Sequence, residues 1–456
     1  MLIAHMADVH LGKRLYGLEW YEEQLMKHFE EAVDAAIREH VDALVISGDL
    51  FDEARPPNRV LKRASDIIRS ASSKGIRVYI TTGDHDTPKS VDVPPTALLR
   101  DAIAPQPGEH FFVDRVQADG REYFFVGLAH ARLRHHESGR EAFVRHLRRA
   151  LEGAPRDSVL IMHQNIVEFF NLERGISLAD IPTTPKYVAM GHLHMRIVHR
   201  RHAKGGVQVI AYPGSLEILD AAELEEFRKN GKGFYLVDLS GDEPSLQKVD
   251  VRVTPFEAVS TRMPSGREEL ERHVRGSLAR MRGLLGEGSR GILLVELHLE
   301  PGALLAPDAE LSRRVERIAR EVLGEAASYL HIKTKVKMEK ERLADGITSL
   351  VPQRSEASDE VELLADHLAG LLPGASDEER RRIARDVLHL VDLVLEERAE
   401  EALKVADELR RNRQLYSRLV GVLSSAQASR AASAAGSRPE SPRRASGKDG
   451  LARWLG

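Results

Sequence analysis

Five short apolar runs in the first two hundred residues each end in aspartate or histidine. The first delivers Asp8 and His10 in ADVHLG, the second Asp49 in SGDLFD, and the third Asp84 and His85 in TTGDHD. The fourth gives His163 in IMHQN, and the fifth gives His192 and His194 in MGHLHMR. In an extended segment residues i and i+2 share a side, so Asp8 with His10, and His192 with His194, can face a common point. Oxygen and imidazole donors converging from five strand ends fit two adjacent divalent metals. Two such ions roughly 3.5–4 Å apart can share a carboxylate, activate a water and clamp a phosphate. A His and carboxylate donor set without thiolate favours manganese, iron or zinc over calcium or magnesium. Glycines at positions 48, 83 and 191 permit the tight turns that would aim these side chains.

Each pair alone is weak, because a lone DxH or HxH is more often surface decoration. The chain has 20 histidines, and His5, His130, His199 and His202 are read as background. The ordered set carries the reading: ion pairing alone would not need five histidines in this arrangement.

The elements that must position these residues follow from the periodicity. Strand-like runs fall at 2–7, 43–47, 76–82, 159–162, 187–190 and 207–212, with helical patterns at 21–39 and 57–73. Strands alternating with helices predict a layered α/β domain with a largely buried sheet, whose functional groups collect at the carboxyl ends of the strands. From about residue 255 a charged helix (267–285), the strand GILLVELHLE and a second helix (309–323) predict a smaller α/β domain. Beyond the turn-rich stretch 344–357 only helical pattern remains. Ser376 and Glu379 read as a capping box. Behind it Ile383, Val387, Leu390, Val391, Val394 and Leu395 mark one stripe of a helix running to about 423. The segment 424–448 is basic and of low complexity, and is expected to be disordered. The expected domains are therefore 1–253, 254–340, 358–423 and a tail at 424–456.

Composition narrows the function classes. With 66 Lys+Arg against 70 Asp+Glu, the formal net charge is −4. That balance excludes a globally basic DNA-coating protein and leaves room for a local basic stripe. No apolar run approaches the ~18 residues of a membrane span, and the N-terminus lacks a signal-like core, so a soluble cytoplasmic protein with no membrane partner is expected. The absence of cysteine excludes disulfides and thiolate metal sites.

Taken in order, DVHLG, GDLFD, GDHD, MHQ, GHLH and YPGS (212–215) resemble the calcineurin-like metallophosphoesterases. Spacing and later domains are most similar to the archaeal type of one branch, the Mre-eleven nucleases of DNA double-strand-break repair, called SbcD in bacteria. The resemblance implies a layered metallophosphoesterase β-sandwich flanked by helices, a small α/β capping domain that binds DNA, and a C-terminal helical segment. It implies two manganese ions, the first on Asp8, His10, Asp49 and His194, the second on Asp49, Asp84, His163 and His192, with Asp49 bridging. His85 would be the histidine that is not a ligand and instead stabilises the transition state or protonates the leaving oxygen. Implied partners are DNA, a Rad-fifty-type ATPase held by the C-terminal helices, and a second copy of the chain; the implied location is the nucleoid.

Two positions depart from the family pattern. Asp84 stands where the family usually has Asn. Two divalent ions bring +4; Asp8, Asp49 and a hydroxide leave about +1, and Asp84 takes this to about zero. Tighter metal binding and a site less attractive to phosphate are expected, or else a tolerated variant. Asp52 stands where some relatives carry a second histidine.

Lys13, Arg14, Tyr16, Arg55 and Arg59, with the cluster Arg132, Arg134, His135 and His136, are candidate contacts to a DNA backbone, each with ordinary solvated surface as its rival reading. In the terminal KDGLARWLG, Leu451, Trp454 and Leu455 resemble a sliding-clamp-binding box with Lys448 in place of the usual Gln; a chance hydrophobic end is the rival. The leading function is a metal-dependent DNA exonuclease or endonuclease. Two alternatives stay open: a small-molecule phosphodiesterase, and a DNA-tethering subunit whose nuclease is weakened by Asp84.

Overall fold

The computed structural model describes residues 1–89, 92–118, 120–131, 133, 137–203, 205–263, 267–299 and 309–338, together with 376–378, 380–382, 384–386 and 389. The chain opens with β1 (Leu2–Met6), α1 (Glu19–Arg38), β2 (Ala43–Ser47), α2 (Asn58–Ser72) and β3 (Arg77–Thr81). β1, β2 and β3 pair in parallel, so each helix serves as the crossover that a parallel pair requires. Next come β4 (Phe111–Ala118), β5 (Arg121–Leu128), α3 (Glu137–Ala150), β6 (Ser158–His163), β7 (Tyr187–Gly191), β8 (Ile197–Ala203) and β9 (Gly206–Tyr212). α4 (Leu224–Asn230), β10 (Gly233–Asp238) and β11 (Ser245–Asp250) follow. One sheet has the order β11-β10-β1-β2-β3 and the other β4-β5-β6-β7-β9-β8.

Strand periodicity sorts side chains into layers. On β2, Ala43 and Val45 join the core between the sheets, while Leu44 and Ile46 face α1 and α2. On β6, Val159 and Ile161 face the inter-sheet core, and Leu160 and Met162 face the layer containing Phe143 and Leu147 of α3. Both faces of these strands are covered, which is why they read as unbroken apolar runs rather than alternating ones. α1 buries Tyr21, Leu25, Phe29, Ala32, Val33 and Ala36, at the i, i+3, i+4 spacing of a core-facing stripe. Across the sandwich Tyr79 stacks on Phe125 with ring centroids 4.2 Å apart. The expected β-sandwich with flanking helices is the observed architecture.

His5, read from sequence as background, lies inside the sandwich. Its Nδ1 is 2.7 Å from the Tyr187 hydroxyl and its Nε2 2.9 Å from Ser47 Oγ. Burial pushes its pKa down to about 3, so it joins the sheets as a neutral ring.

β12 (Phe256–Met263), α5 (Arg267–Met281), β13 (Gly291–Leu299), α6 (Ala309–Leu323) and β14 (Leu330–Met338) complete the described elements, with a sheet of order β12-β13-β14. The chain forms two compact units. The first comprises Met1–Ala258, Ser277–Leu294 and Val322–Lys333; the second comprises Val259–Gly276, Val295–Glu321 and, among the described residues, the chain from Thr334. Among the described residues no helix is long and apolar enough to cross a membrane. Near Ser376, Arg380 N–H donates to the Ser376 carbonyl at 3.0 Å, as a helix start there requires. Most of the expected helical segment 358–423, the whole tail 424–456 with Leu451, Trp454 and Leu455, and Arg132, Arg134, His135 and His136 lie outside the described residues.

Candidate metal centre

Every predicted ligand comes from one edge of the first unit, at or just past the carboxyl ends of β1, β2, β3, β6 and β7. The exits of β1 and β2 run side by side: Asp8 N–H donates to the Gly48 carbonyl at 3.2 Å, His10 N–H to the Asp49 carbonyl at 2.9 Å, and Leu11 N–H to the Leu50 carbonyl at 2.9 Å. In the second sheet His163 pairs with Gly191, which sets His192 just beyond it. Backbone strain concentrates here. Asp8, His10, Asp49 and His192 all have positive φ, from 49° to 103°, a conformation that costs a non-glycine residue about 1–3 kcal/mol and persists where function needs it.

The possible ligand atoms fall into overlapping groups, among them Asp8-Asp49-His163, Asp49-Asp84-His85 and His10-Asp52-His85. Asp8, His10 and His194 form one cluster and Asp84, His163 and His192 another, each with its ligand atoms within 4.8 Å of one another. Asp49 lies between them, its Oδ2 3.5 Å from His10 Nε2 and 3.4 Å from His163 Nε2. The floor, made of Asp8, His10, Asp49 and His163, is buried, whereas Asp84, His85, His192 and His194 reach the open rim.

Whether these residues fit a metal pair is decided by the far nitrogen of each ring. His10 Nδ1 donates to Asp52 Oδ1 at 3.0 Å, and His194 Nδ1 to Glu223 Oε1 at 2.8 Å. His163 Nδ1 donates to the Ser47 carbonyl at 2.9 Å, and His192 Nε2 to Glu173 Oε2 at 3.0 Å. With those protons placed, each ring turns its other nitrogen, a bare lone pair, into the site. His10 Nε2 and His194 Nε2 then face each other at 3.2 Å. His163 Nε2 and His192 Nδ1 face Asp84 Oδ1 at 3.0 and 3.1 Å. Lone pairs aimed at lone pairs and at carboxylates repel unless a cation sits among them, and a second partner on the outer nitrogen is the usual support of a metal-bound histidine. The donor set fits.

Without metal, protons must supply the positive charge. Burial alone would lower the pKa of His163, but Asp49, Asp84 and Asp8 raise it well above the ordinary value. Burial likewise opposes the charged form of His192, yet Asp84 and Glu173 lift it from 6.5 to about 9. Asp84, whose burial alone would raise it, is held far below the carboxylate range by His163 and His192. A histidine held protonated above its unfolded value stabilises the fold fully below about pH 6.5 and loses that contribution as pH rises through about 9. Metal-free protein is therefore expected to lose up to ~3 kcal/mol of stability across that window, and manganese-loaded protein to keep it, because the cation replaces the protons. Thermal melts between pH 6.5 and 9, with and without manganese, check this; a flat metal-free melting temperature would count against it.

The triplet Asp84-His85-Asp86 divides three tasks. Asp84 is a candidate ligand. Asp86 is fully buried and accepts the backbone N–H of Gly83 at 2.6 Å and of Leu50 at 3.0 Å, tying the β2 and β3 exits together. Burial and the nearby Asp49 push its pKa up to about 8. His85 is exposed, and its Nδ1 donates to the Asp52 carbonyl at 2.9 Å, which turns Nε2 toward the rim. Gly83 is required by close approach: a methyl group there would collide with the Asp49 carboxylate and backbone nitrogen. Gly83→Ala is expected to displace Asp49 and lower metal-dependent activity about 100-fold, measurable beside a manganese titration of the same variant.

Residues 1–196 match the family model of the calcineurin-like phosphoesterases. The chain is 32% identical over 266 residues to the DNA double-strand break repair protein Mre11 of Methanocaldococcus jannaschii, covering 57% of this chain and 69% of that one. It is 31% identical over 353 residues to the Mre11 of Aeropyrum pernix, covering 73% and 80% of the two chains. With the Sulfolobus acidocaldarius Mre11, 28% identity extends over 410 residues, 89% of this chain and 98% of the relative. The chain belongs to the Mre11 family.

For this Mre11-family chain, several functional neighbours escaped the sequence reading. Asp52, noted only as a departure, orients His10 and also accepts from Lys13 Nζ at 3.2 Å. Glu173, in a bend, and Glu223, at the end of the short helical turn Ala221–Glu223, orient His192 and His194 and carry no motif of their own. His130, read as background, lies half-buried beside His163, its Nδ1 3.0 Å from the His163 carbonyl and its pKa pushed down to about 4, first by desolvation and then by His163. The candidate DNA contacts are engaged within the chain: Lys13 with Asp52, Arg14 with Glu19 and Glu22, Arg55 with Asp92, and Arg59 with Glu22. Tyr16 sits at positive φ in a short turn, its ring edge-on to Phe256 at 6.3 Å.

Proposed function

We propose that this chain is a dimanganese-dependent DNA nuclease that processes double-strand-break ends in the nucleoid, as a homodimer working with a Rad-fifty-type ATPase. The observation that carries the reading is the set of four histidines whose inner nitrogens converge, with three aspartates, on two adjacent points. The Mre11 relatives, named for double-strand-break repair, support DNA as the substrate. On this reading 254–340 is the DNA-binding capping domain and 358–423 the segment that docks the ATPase.

When bound, the two metals would polarise the phosphoryl oxygens and lower the pKa of the attacking water. Asp8, His10 and His194 would hold the first and Asp84, His163 and His192 the second, with Asp49 shared. Outer-nitrogen partners fix the rings before substrate arrives, so little reorganisation is needed during the reaction. His85 keeps its Nδ1–H on the Asp52 carbonyl and, as the doubly protonated ring, offers its Nε2 proton to the leaving oxygen. Arg55, 81% exposed, and Arg59, 50% exposed, are the cations best able to exchange a carboxylate for a DNA phosphate. Lys13, at 24% exposure, is better placed to hold Asp52.

The test is cleavage of end-labelled duplex DNA by the full chain with manganese, with magnesium and with chelator. Manganese-dependent cleavage is expected. Turnover of a small phosphodiester with no attack on DNA, even with the ATPase present, would move the protein to the small-molecule reading.

A further inference from the structure

We propose that Lys232 is a positioning residue for the first metal position, acting through Glu223 on His194; this rests on the metal-centre reading above. Lys232 lies between α4 and β10 with its side chain 2% exposed. An ammonium so deeply buried is costly unless each of its protons finds an acceptor. Here all three do: the His194 carbonyl at 2.8 Å, Ser215 Oγ at 2.6 Å and Glu223 Oε2 at 2.5 Å.

Two of those acceptors lead to the same ligand. The carbonyl contact fixes the backbone of His194. Glu223, placed by the short turn Ala221–Glu223, spans from Lys232 on one oxygen to His194 Nδ1 on the other, at 2.8 Å. Lys232 therefore constrains both the position of the His194 backbone and the rotation of its ring. It also sets a counter-charge against the half-buried Glu223 carboxylate. Ser215 is itself oriented, donating to the Glu217 carbonyl at 2.8 Å, which leaves its oxygen lone pairs free to accept from the ammonium.

A more exposed version of this arrangement recurs at the other histidine of this position, with both donors on the one oxygen Asp52 Oδ1. His10 donates to Asp52, and Asp52 accepts from Lys13 at 3.2 Å. Both first-position histidines thus stand at the end of a histidine–carboxylate–lysine relay. Those of the second position are oriented otherwise, His163 by a backbone carbonyl and His192 by Glu173, whose side chain is 51% exposed. A charged relay raises the donor strength of the inner nitrogen and restricts its ring, which is the effect through which outer partners govern metal affinity. Loss of Lys232 should therefore weaken one metal and spare the other, whereas a lysine serving only as a core staple would lower stability and leave both affinities alike.

The experiment is a manganese titration of the metal-free full chain, with free ion read by its electron paramagnetic resonance signal and melting temperature recorded in parallel. Wild type is expected to bind two ions, and His194→Ala, the control for the underlying reading, to lose one. Lys232→Met and the near-isosteric Glu223→Gln are each expected to weaken one ion about 10–100-fold and to leave the other within about twofold. Should Lys232→Met not fold, Lys232→Gln, which keeps two donors and removes the charge, is read in the same way. Full retention of both ions by the Lys232 and Glu223 variants, while His194→Ala loses one, overturns the proposal. Retention of both by His194→Ala would overturn the metal-centre reading, and this proposal with it.

Discussion

Replacing His85 with alanine is expected to reduce manganese-dependent DNA cleavage by at least about 10²-fold, with both metals still bound. The reason is geometric. His85 stands edge-on to the His10 ring, centroids 4.6 Å apart, close enough to reach a phosphate lying over the metals. Its Nδ1 is taken by the Asp52 carbonyl, and its Nε2 is 3.9 Å from Asp84 Oδ2. The His85 backbone N–H donates to Asp49 Oδ1 at 3.0 Å, an interaction that alanine retains. On the proposed reading the substitution therefore removes a proton donor and leaves the Asp49 carboxylate supported. Single-turnover cleavage beside a manganese titration separates these effects. A fall in metal binding equal to the fall in cleavage would make His85 a ligand; unchanged cleavage would remove it from the mechanism.

Asp84→Asn is the second large effect, and its two readouts should move in opposite directions. Asp84 Oδ1 faces both His163 and His192, so it contributes a full negative charge to the second position. Asparagine keeps the carbonyl oxygen, loses the charge and gains an amide donor. Manganese affinity at the second position is expected to fall about tenfold, a loss of ~1.4 kcal/mol. At saturating manganese, cleavage is expected to rise, because a site of net charge about +1 attracts and polarises a phosphodiester better than one near zero. If only the Asn variant cleaves at all, the protein as it stands is a DNA-tethering subunit with a silenced site. If affinity and turnover fall together, the Asp84 carboxylate is needed for more than holding the ion.

All seven candidate ligands were legible in the sequence because each follows an apolar run at the exit of a strand, and that signal needs no knowledge of which strands pair. β2 (Ala43–Ser47) was read to the residue, since a strand buried on both faces is unbroken in its apolarity. β8 (IVHRRHA) and β11 (SLQKVD) are edge strands made mostly of polar and charged residues, and their sequences resemble solvated surface. The orienting residues were illegible for another reason. Glu223 lies 29 positions beyond His194, and Lys232 follows later still; both are residue types that normally face water. Only the folded chain turns them inward. The charged residues proposed as DNA contacts were legible as charges, but their carboxylate partners, such as Asp92 for Arg55, were not.

The most direct measurement is anomalous diffraction at the manganese edge from crystals of the full chain grown with manganese. Two peaks are expected roughly 3.5–4 Å apart, one against Asp8, His10 and His194, the other against Asp84, His163 and His192, with Asp49 touching both. A single peak, or two that leave Asp49 uncoordinated, would contradict the two-metal centre and the nuclease built on it.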